Sequence, residues 1–262
     1  MTDSTWLIAG IFVASWVSGM TGLAFPTIAT PLFLLLFSPM ETVALTAACS
    51  LTGQIVSVLS LRRRIAYTLR WRLVLSGLAG VPVGIWLLSV VSVHVFGLIA
   101  GGIIALVSLW WLIRPDIEAR AVHPALEILA GLGGGLSGGL IGLSAPLPTI
   151  WCVAHGLPKE RQRAVLQPFI LIVQLTLAVL LWRHGRLDRA VFDTYLLLLG
   201  PVIAGAHLGA WTFRAVSTEG FVRIALSLTV VSGVALMLRS VSLEATRPTT
   251  VSVVRDVPME FK

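Results

Sequence analysis

The chain has 262 residues, of which 56% are hydrophobic and 12% are Asp, Glu, Lys or Arg, about half the charged fraction of an ordinary soluble chain. Its uncharged runs, 4–40, 42–61, 73–113, 128–158, 164–182, 194–213 and 224–238, cover about 70% of the sequence, enough for roughly eight to ten membrane-crossing segments; a soluble domain could not bury so much. The net charge of +7 does not point to nucleic acid, because the basic residues sit in short loops between the runs rather than on one face.

In chain order, the start Met1-Thr2-Asp3-Ser4-Thr5-Trp6 lacks a basic region, so the first apolar stretch is expected to stay in the protein rather than act as a secretory signal. The runs are continuously apolar instead of alternating, which predicts helices and not a closed barrel. The stretches 5–18 and 27–37 are short and separated by Gly and Pro; 40–61, 71–91 and 94–113 are full length. A charged, Pro-containing linker, Arg114 to Arg120, follows. The second half reads 124–137, 147–156, 160–182, 190–213 and 217–238. Cys49 and Cys152 lie inside apolar runs with no CxxC pair, so they read as buried hydrophobes, with no metal and no disulfide framework.

The two halves match each other. Gly19, Gly22, Leu23 and Pro26 fall on Gly139, Gly142, Leu143 and Pro146 at an offset of 120, and the same offset carries Gln54 onto Gln174. Gly80-x-x-x-Gly84-x-Trp86 falls on Gly205-x-x-x-Gly209-x-Trp211 at an offset of 125. The expected organisation is a first transmembrane repeat over 1–113, a linker over 114–123, a second repeat over 124–240 and a polar tail over 241–262. Paired short segments broken by Gly and Pro at corresponding places are the sequence sign of a transporter's binding site.

If each short pair is a re-entrant hairpin, each half crosses three times, the repeats are inverted, and 12 of the 19 Lys and Arg lie on one side. If each pair is a single broken crossing, the repeats are parallel and 14 share a side. Charge does not separate the two. The eight irregular residues between the short stretches suit a hairpin tip, so the inverted form is the expectation.

These residues resemble the sulfite exporter TauE/SafE family of anion permeases along nearly the whole chain. The likeness rests on Gly22-Leu23-Ala24-Phe25-Pro26 with Pro31-Leu32, then Ala48-Cys49-Ser50-Leu51, Leu61-Arg62-Arg63-Arg64, Gly80 and Gly84. In the second half it rests on Gly142-Leu143-Ser144-Ala145-Pro146, Leu166-Gln167-Pro168, Arg183-His184-Gly185-Arg186, Gly205 and Gly209. The family's glycine triplet is replaced here by Ala24-Phe25-Pro26 and Ser144-Ala145-Pro146, and its Gly-Thr-Ser by Ala-Cys-Ser and Leu-Gln-Pro. The resemblance implies a permease for sulfite, sulfonates or related sulfur-containing or organic anions.

A helix that starts after a Gly/Pro break exposes unpaired N–H groups at the positive end of its dipole. Pro26 and Pro146 suit that first turn. Two such ends would hold an oxyanion without a buried Lys or Arg, the arginines staying in the loops. The candidate substrate-binding residues are Ser18, Thr21, Gly22, Thr27, Ser50, Thr52, Gln54, Gly142, Ser144, Thr149, Gln167 and Gln174, with hydroxyls and amides completing the anion's shell. The competing reading of each hydroxyl is a bond to its own i−4 carbonyl or to a neighbouring helix.

His207, inside an uncharged run, is a candidate for coupling or gating; a neutral, hydrogen-bonded histidine is the bland alternative. Lys159 to Arg163 reads as a topology-setting loop, with attraction of anions to the mouth as its functional alternative. Trp86, Trp110, Trp111, Trp182 and Trp211 read as interface anchors, and Trp16 and Trp151 as walls of the substrate cavity. The expected protein is an all-α, multi-pass protein of a bacterial-type inner membrane, with no cofactor, no metal and no nucleic-acid partner. It would move a small anion by alternating access, with a proton or another coupling ion and a homo-oligomer both compatible. An anion channel is the nearest alternative, and a membrane enzyme or assembly subunit the more distant one. No HExxH, GxSxG, Cys pair or carboxylate cluster supports an enzyme.

Overall fold

A computed structural model describes residues 2–61, 68–113, 123–185 and 189–215, together with 230, 231, 233, 234 and 236–238. The linker, most of the last expected segment and the tail lie outside the described residues. The described chain is helical throughout: α1 (Thr2–Thr21), α2 (Phe25–Leu34), α3 (Pro39–Leu61), α4 (Trp71–Val90), α5 (Val93–Ile113), α6 (Pro124–Ile141), α7 (Pro146–Ala154), α8 (Lys159–Arg183) and α9 (Arg189–Ala215). Six stretches are long and apolar enough to cross a membrane, in α3, α4, α5, α6, α8 and α9. Large apolar side chains cover the outside, with Leu106 68% and Trp182 69% exposed, a surface that suits lipid and not water. This is a polytopic membrane protein.

α1 and α2 fold back on each other. Gly10, twelve residues before Gly22, packs against Leu32, ten residues after it; a single broken crossing would hold those residues roughly 30 Å apart at 1.5 Å per residue. α6 and α7 do the same, with Gly133 against Leu147 and Gly134 against Pro148. Each hairpin turns at one left-handed glycine, Gly22 at φ 85° and Gly142 at φ 77°, a conformation that costs other residues about 1–2 kcal/mol.

The first arms are longer than the expected 5–18 and 124–137, and only three or four residues separate each pair of helices. Gly19 and Gly139, counted with the breaks in the sequence, are helical. Gly19 presses on the backbone of α9 at Ala206 and Gly209, and Gly139 on that of α4 at Val81 and Gly84. There a missing Cβ serves close packing, so the helix runs on.

Contacts give the relative directions. Gly77, Gly80 and Gly84 of α4 meet Gly131, Gly135 and Gly139 of α6 in turn, so α4 and α6 run parallel. Gly205 meets Phe12 and Ser15, and Gly209 meets Trp16 and Gly19, so α1 and α9 run parallel too. α3 and α8 lie between these pairs and run antiparallel. Near the end of α3, Ser57 bonds Arg163 and Gln167 early in α8. Nearer the start of α3, Thr46 touches Gly142, whose carbonyl is bonded by Gln174 late in α8.

Candidate functional site

The two hairpin tips rest against the α3–α8 pair. At the first, the chain leaves α1 at Gly22, whose N–H donates to Ser18 O at 2.6 Å. In a continuing helix the N–H groups of residues 23 and 24 would serve the carbonyls of Gly19 and Met20. Instead Thr21 Oγ1 accepts from Leu23 N and Ala24 N at 3.5 and 3.3 Å. The two carbonyls are covered from another helix: the Arg163 guanidinium donates to Gly19 O at 2.7 Å and to Met20 O at 3.0 Å. It also donates to Ser57 Oγ at 2.8 Å and sits 4.5 Å from the centre of the Phe213 ring.

Arg163 is 5% exposed, the one buried Lys or Arg among the described residues. This corrects the expectation that Lys159 to Arg163 is a loop and that no buried cation serves the site. α8 already begins at Lys159, so Arg163 lies one turn inside a helix. The exposed negative end of α1 draws a cation there.

Gln54 Nε2 donates to Gly22 O at 2.7 Å, and Gln167 Nε2 to Ser57 Oγ at 3.0 Å. Thr27 Oγ1 donates to Ala24 O at 2.6 Å and Thr21 Oγ1 to Val17 O at 2.9 Å. Pro26 sits in the first turn of α2, as its missing N–H allows.

At the second tip, Gly142 N donates to Gly138 O at 2.9 Å, the single bond of a left-handed glycine C-cap, and Leu143 N to Ser137 O at 3.3 Å. Gln174 Nε2 donates to Gly142 O at 2.9 Å, as Gln54 does at the first tip. Thr30 of α2 donates to Ile141 O at 3.4 Å, joining the two hairpins. Thr149 Oγ1 donates to Ala145 O at 2.7 Å. Ser144 is 1% exposed and its Oγ has no partner.

Between the tips runs a polar stripe on α3. Thr42, Thr46, Ser50, Gln54 and Ser57 recur every three or four residues and are all within 3% of complete burial, so they share one helix face. Thr42 Oγ1, Thr46 Oγ1, Ser50 Oγ and Gln54 Oε1 have no partner, although a helical Ser or Thr can usually reach its own i−4 carbonyl. Thr46 at the second tip and Gln54 at the first are eight residues apart, about 12 Å along the helix.

The structure therefore gathers Gly22, Thr21, Thr27, Gln54 and Gln167 at one tip, Gly142, Ser144, Thr149 and Gln174 at the other, and Ser50 between them. It sets three candidates aside. Thr52 bonds Ala48 O and the Tyr195 hydroxyl at 3.1 and 2.8 Å, facing α9. Ser18 is half-buried and meets the tip through its backbone carbonyl. His207 is exposed on α9, its Nδ1 3.5 Å from Ser60 Oγ. Trp16 bonds Thr212 of α9 through Nε1 at 3.2 Å. The Trp151 and His155 rings are tilted 44° to each other with centres 4.1 Å apart, and the Trp151 ring lies 5.1 Å from the Arg70 guanidinium. Arg70 pairs with Glu127 at 3.2 Å in the same place. Sequence reasoning missed Arg163, Ser57, Thr42 and Thr46; the i, i+4 spacing of Thr42, Thr46, Ser50 and Gln54 was the available signal for the last two.

Among known protein families, the model described as Sulfite exporter TauE/SafE matches residues 7–236. No curated protein and no solved structure matches the chain.

Proposed function

Since this chain belongs to the sulfite exporter TauE/SafE family of membrane transporters, we propose that it is a permease for a small anion, such as sulfite, an organosulfonate or a related carboxylate, exposed alternately to either side. The observation that carries this reading is the first hairpin tip. A helix hairpin brings the negative end of one arm beside the positive end of the other, and the two largely offset. At the first tip Arg163 covers the α1 carbonyls, which leaves the positive end of α2 uncompensated and adds a full positive charge. An anion is favoured there, with Thr27 and Gln167 beside it and Ser50 on its path to the second tip.

The contact pattern supports reading the halves, 1–113 and 124–240, as inverted repeats. With three crossings per half, α3 and α8 run oppositely while each hairpin arm runs parallel to the penultimate span of the other half; these are the directions of the packed pairs. Rocking of one hairpin-bearing unit against the other along the glycine-lined α1–α9 and α4–α6 seams is the proposed alternating movement. The excess of Lys and Arg on the side of residues 62–72 and 159–163 favours that side facing the cytoplasm, in a bacterial-type inner membrane.

The test is transport by the purified protein in liposomes loaded with sulfite, a sulfonate or a carboxylate. Saturable flux of at least one of them is expected. Absence of flux under any ion or pH gradient would refute the permease reading, and non-saturable flux would replace it with a channel.

A further inference from the structure

The two tips share a backbone plan but differ in chemistry, and the difference assigns them different ligands. α7 begins Pro146-Leu147-Pro148, so two of its first three residues have no N–H to offer an anion. α2 begins Phe25-Pro26-Thr27 and lacks only one. The second tip has no counterpart to Arg163: position 43, at the offset of 120, is Val43.

What the second tip offers is oxygen. Thr46 Oγ1, Ser144 Oγ and Gln174 Oε1 have no partner, on residues no more than 1% exposed. All three belong to the surroundings of Gly142: the Thr46 side chain packs on it, Gln174 bonds its carbonyl, and Ser144 follows two residues later. Because the Gln174 amide N–H is committed to Gly142 O, the atom left over is an acceptor. Buried, unpartnered oxygens are destabilising, and a bound cation removes that penalty.

We propose that the second hairpin tip binds a sodium ion through Thr46, Ser144 and Gln174, with backbone carbonyls of the unwound turn completing the shell. Hard cations take oxygen ligands. A set made only of neutral oxygens suits a monovalent ion, and none of the three side chains that supply them titrates to hold a proton. This deepens the anion-permease reading, on which its role in transport rests. A sodium ion about 12 Å from an anion at the first tip favours it on the order of tenfold at an effective dielectric near 20.

The experiment measures the apparent melting temperature of the detergent-solubilised full chain in NaCl, KCl and choline chloride at matched ionic strength and without anion substrate. A saturable rise specific to sodium is expected, because a ligand that binds only the folded state stabilises it. Thr46→Val and Ser144→Ala each delete one unpartnered oxygen with little change in volume. They should melt in choline at or above the parent temperature and lose at least half of the sodium-dependent rise.

Equal melting in all three salts overturns the assignment, as does a sodium effect that survives both substitutions. A rise reproduced by lowering pH without sodium would assign the site to hydronium and overturn sodium. The permease reading fails separately: anion flux that ignores sodium leaves the permease standing without this site, whereas sodium binding without any flux leaves the site without the permease.

Discussion

Replacing Arg163 with Leu removes the donors of two buried carbonyls, Gly19 O and Met20 O, while Ser57 Oγ keeps its bond from Gln167. An unsatisfied buried carbonyl costs about 1–3 kcal/mol, so the substitution should destabilise the fold by roughly 2–6 kcal/mol. In a chain of this size each kcal/mol lowers the melting temperature by roughly 2–4 °C, which makes a drop of at least about 4 °C the expected reading in a detergent melt. Function should suffer more. An anion within about 5 Å of the guanidinium gains roughly 3 kcal/mol at an effective dielectric near 20, on the order of a hundredfold in affinity. Arg163→Lys keeps the charge but not the fork that spans two carbonyls, so it should recover most of the affinity and little of the melting temperature. The assay pairs melting curves with concentration-dependent sulfite flux in liposomes. An Arg163→Leu protein with an unchanged melt and a half-saturation within twofold of the parent would refute the role given to this residue.

Other outcomes follow from the same geometry. Gly142→Ala should be more damaging than Gly22→Ala in melting and expression: both are strained at positive φ, but the new methyl at 142 would lie 2.8 Å from Thr46 Cγ2, against 3.3 Å from Arg163 Nε at 22. Gln174→Leu and Gln54→Leu, each orphaning a tip carbonyl, should each cost about 1–3 kcal/mol, read as a melt lowered by several degrees. Glu127→Gln should shift the melt by no more than about 1 kcal/mol equivalent, because its partner Arg70 is 42% exposed and such pairs contribute little. For topology, single cysteines replacing the exposed Ser38, Thr68, Glu160 and His184 should label with a membrane-impermeant thiol reagent in two groups, 38 with 184 and 68 with 160. Pairing of 38 with 160 would mean parallel halves; the native Cys49 and Cys152 are buried and give little background.

What could be read in the sequence was what is local. A glycine followed within four residues by a proline marks where a helix stops and another starts, and Gly22 and Gly142 are where the backbone turns. Gln54 and Gln174 were legible because an amide inside an apolar run needs a partner, and each finds a carbonyl 32 residues upstream. The lengths of the hairpin arms were not legible. Gly19 and Gly139 look like helix breakers until α9 and α4 press against them. Arg163 was hidden because it closes the charged run Lys159 to Arg163, which reads as a loop; its burial depends on α1 ending beside α8, a contact spanning 143 residues. The hydroxyls of Thr42 and Thr46 look like ordinary back-bonded side chains, and only their unpartnered, buried state separates them from that.

The central claim is that a small anion is held at the first tip and carried across by a site open to one side at a time. Counterflow tests it most directly: liposomes containing the purified protein are preloaded with unlabelled sulfite and diluted into a trace of labelled sulfite. A carrier predicts transient accumulation of label above equilibrium, saturating with concentration and weakened on the order of a hundredfold in affinity by Arg163→Leu. Label that only equilibrates, at a rate indifferent to internal sulfite and to Arg163, would contradict the account.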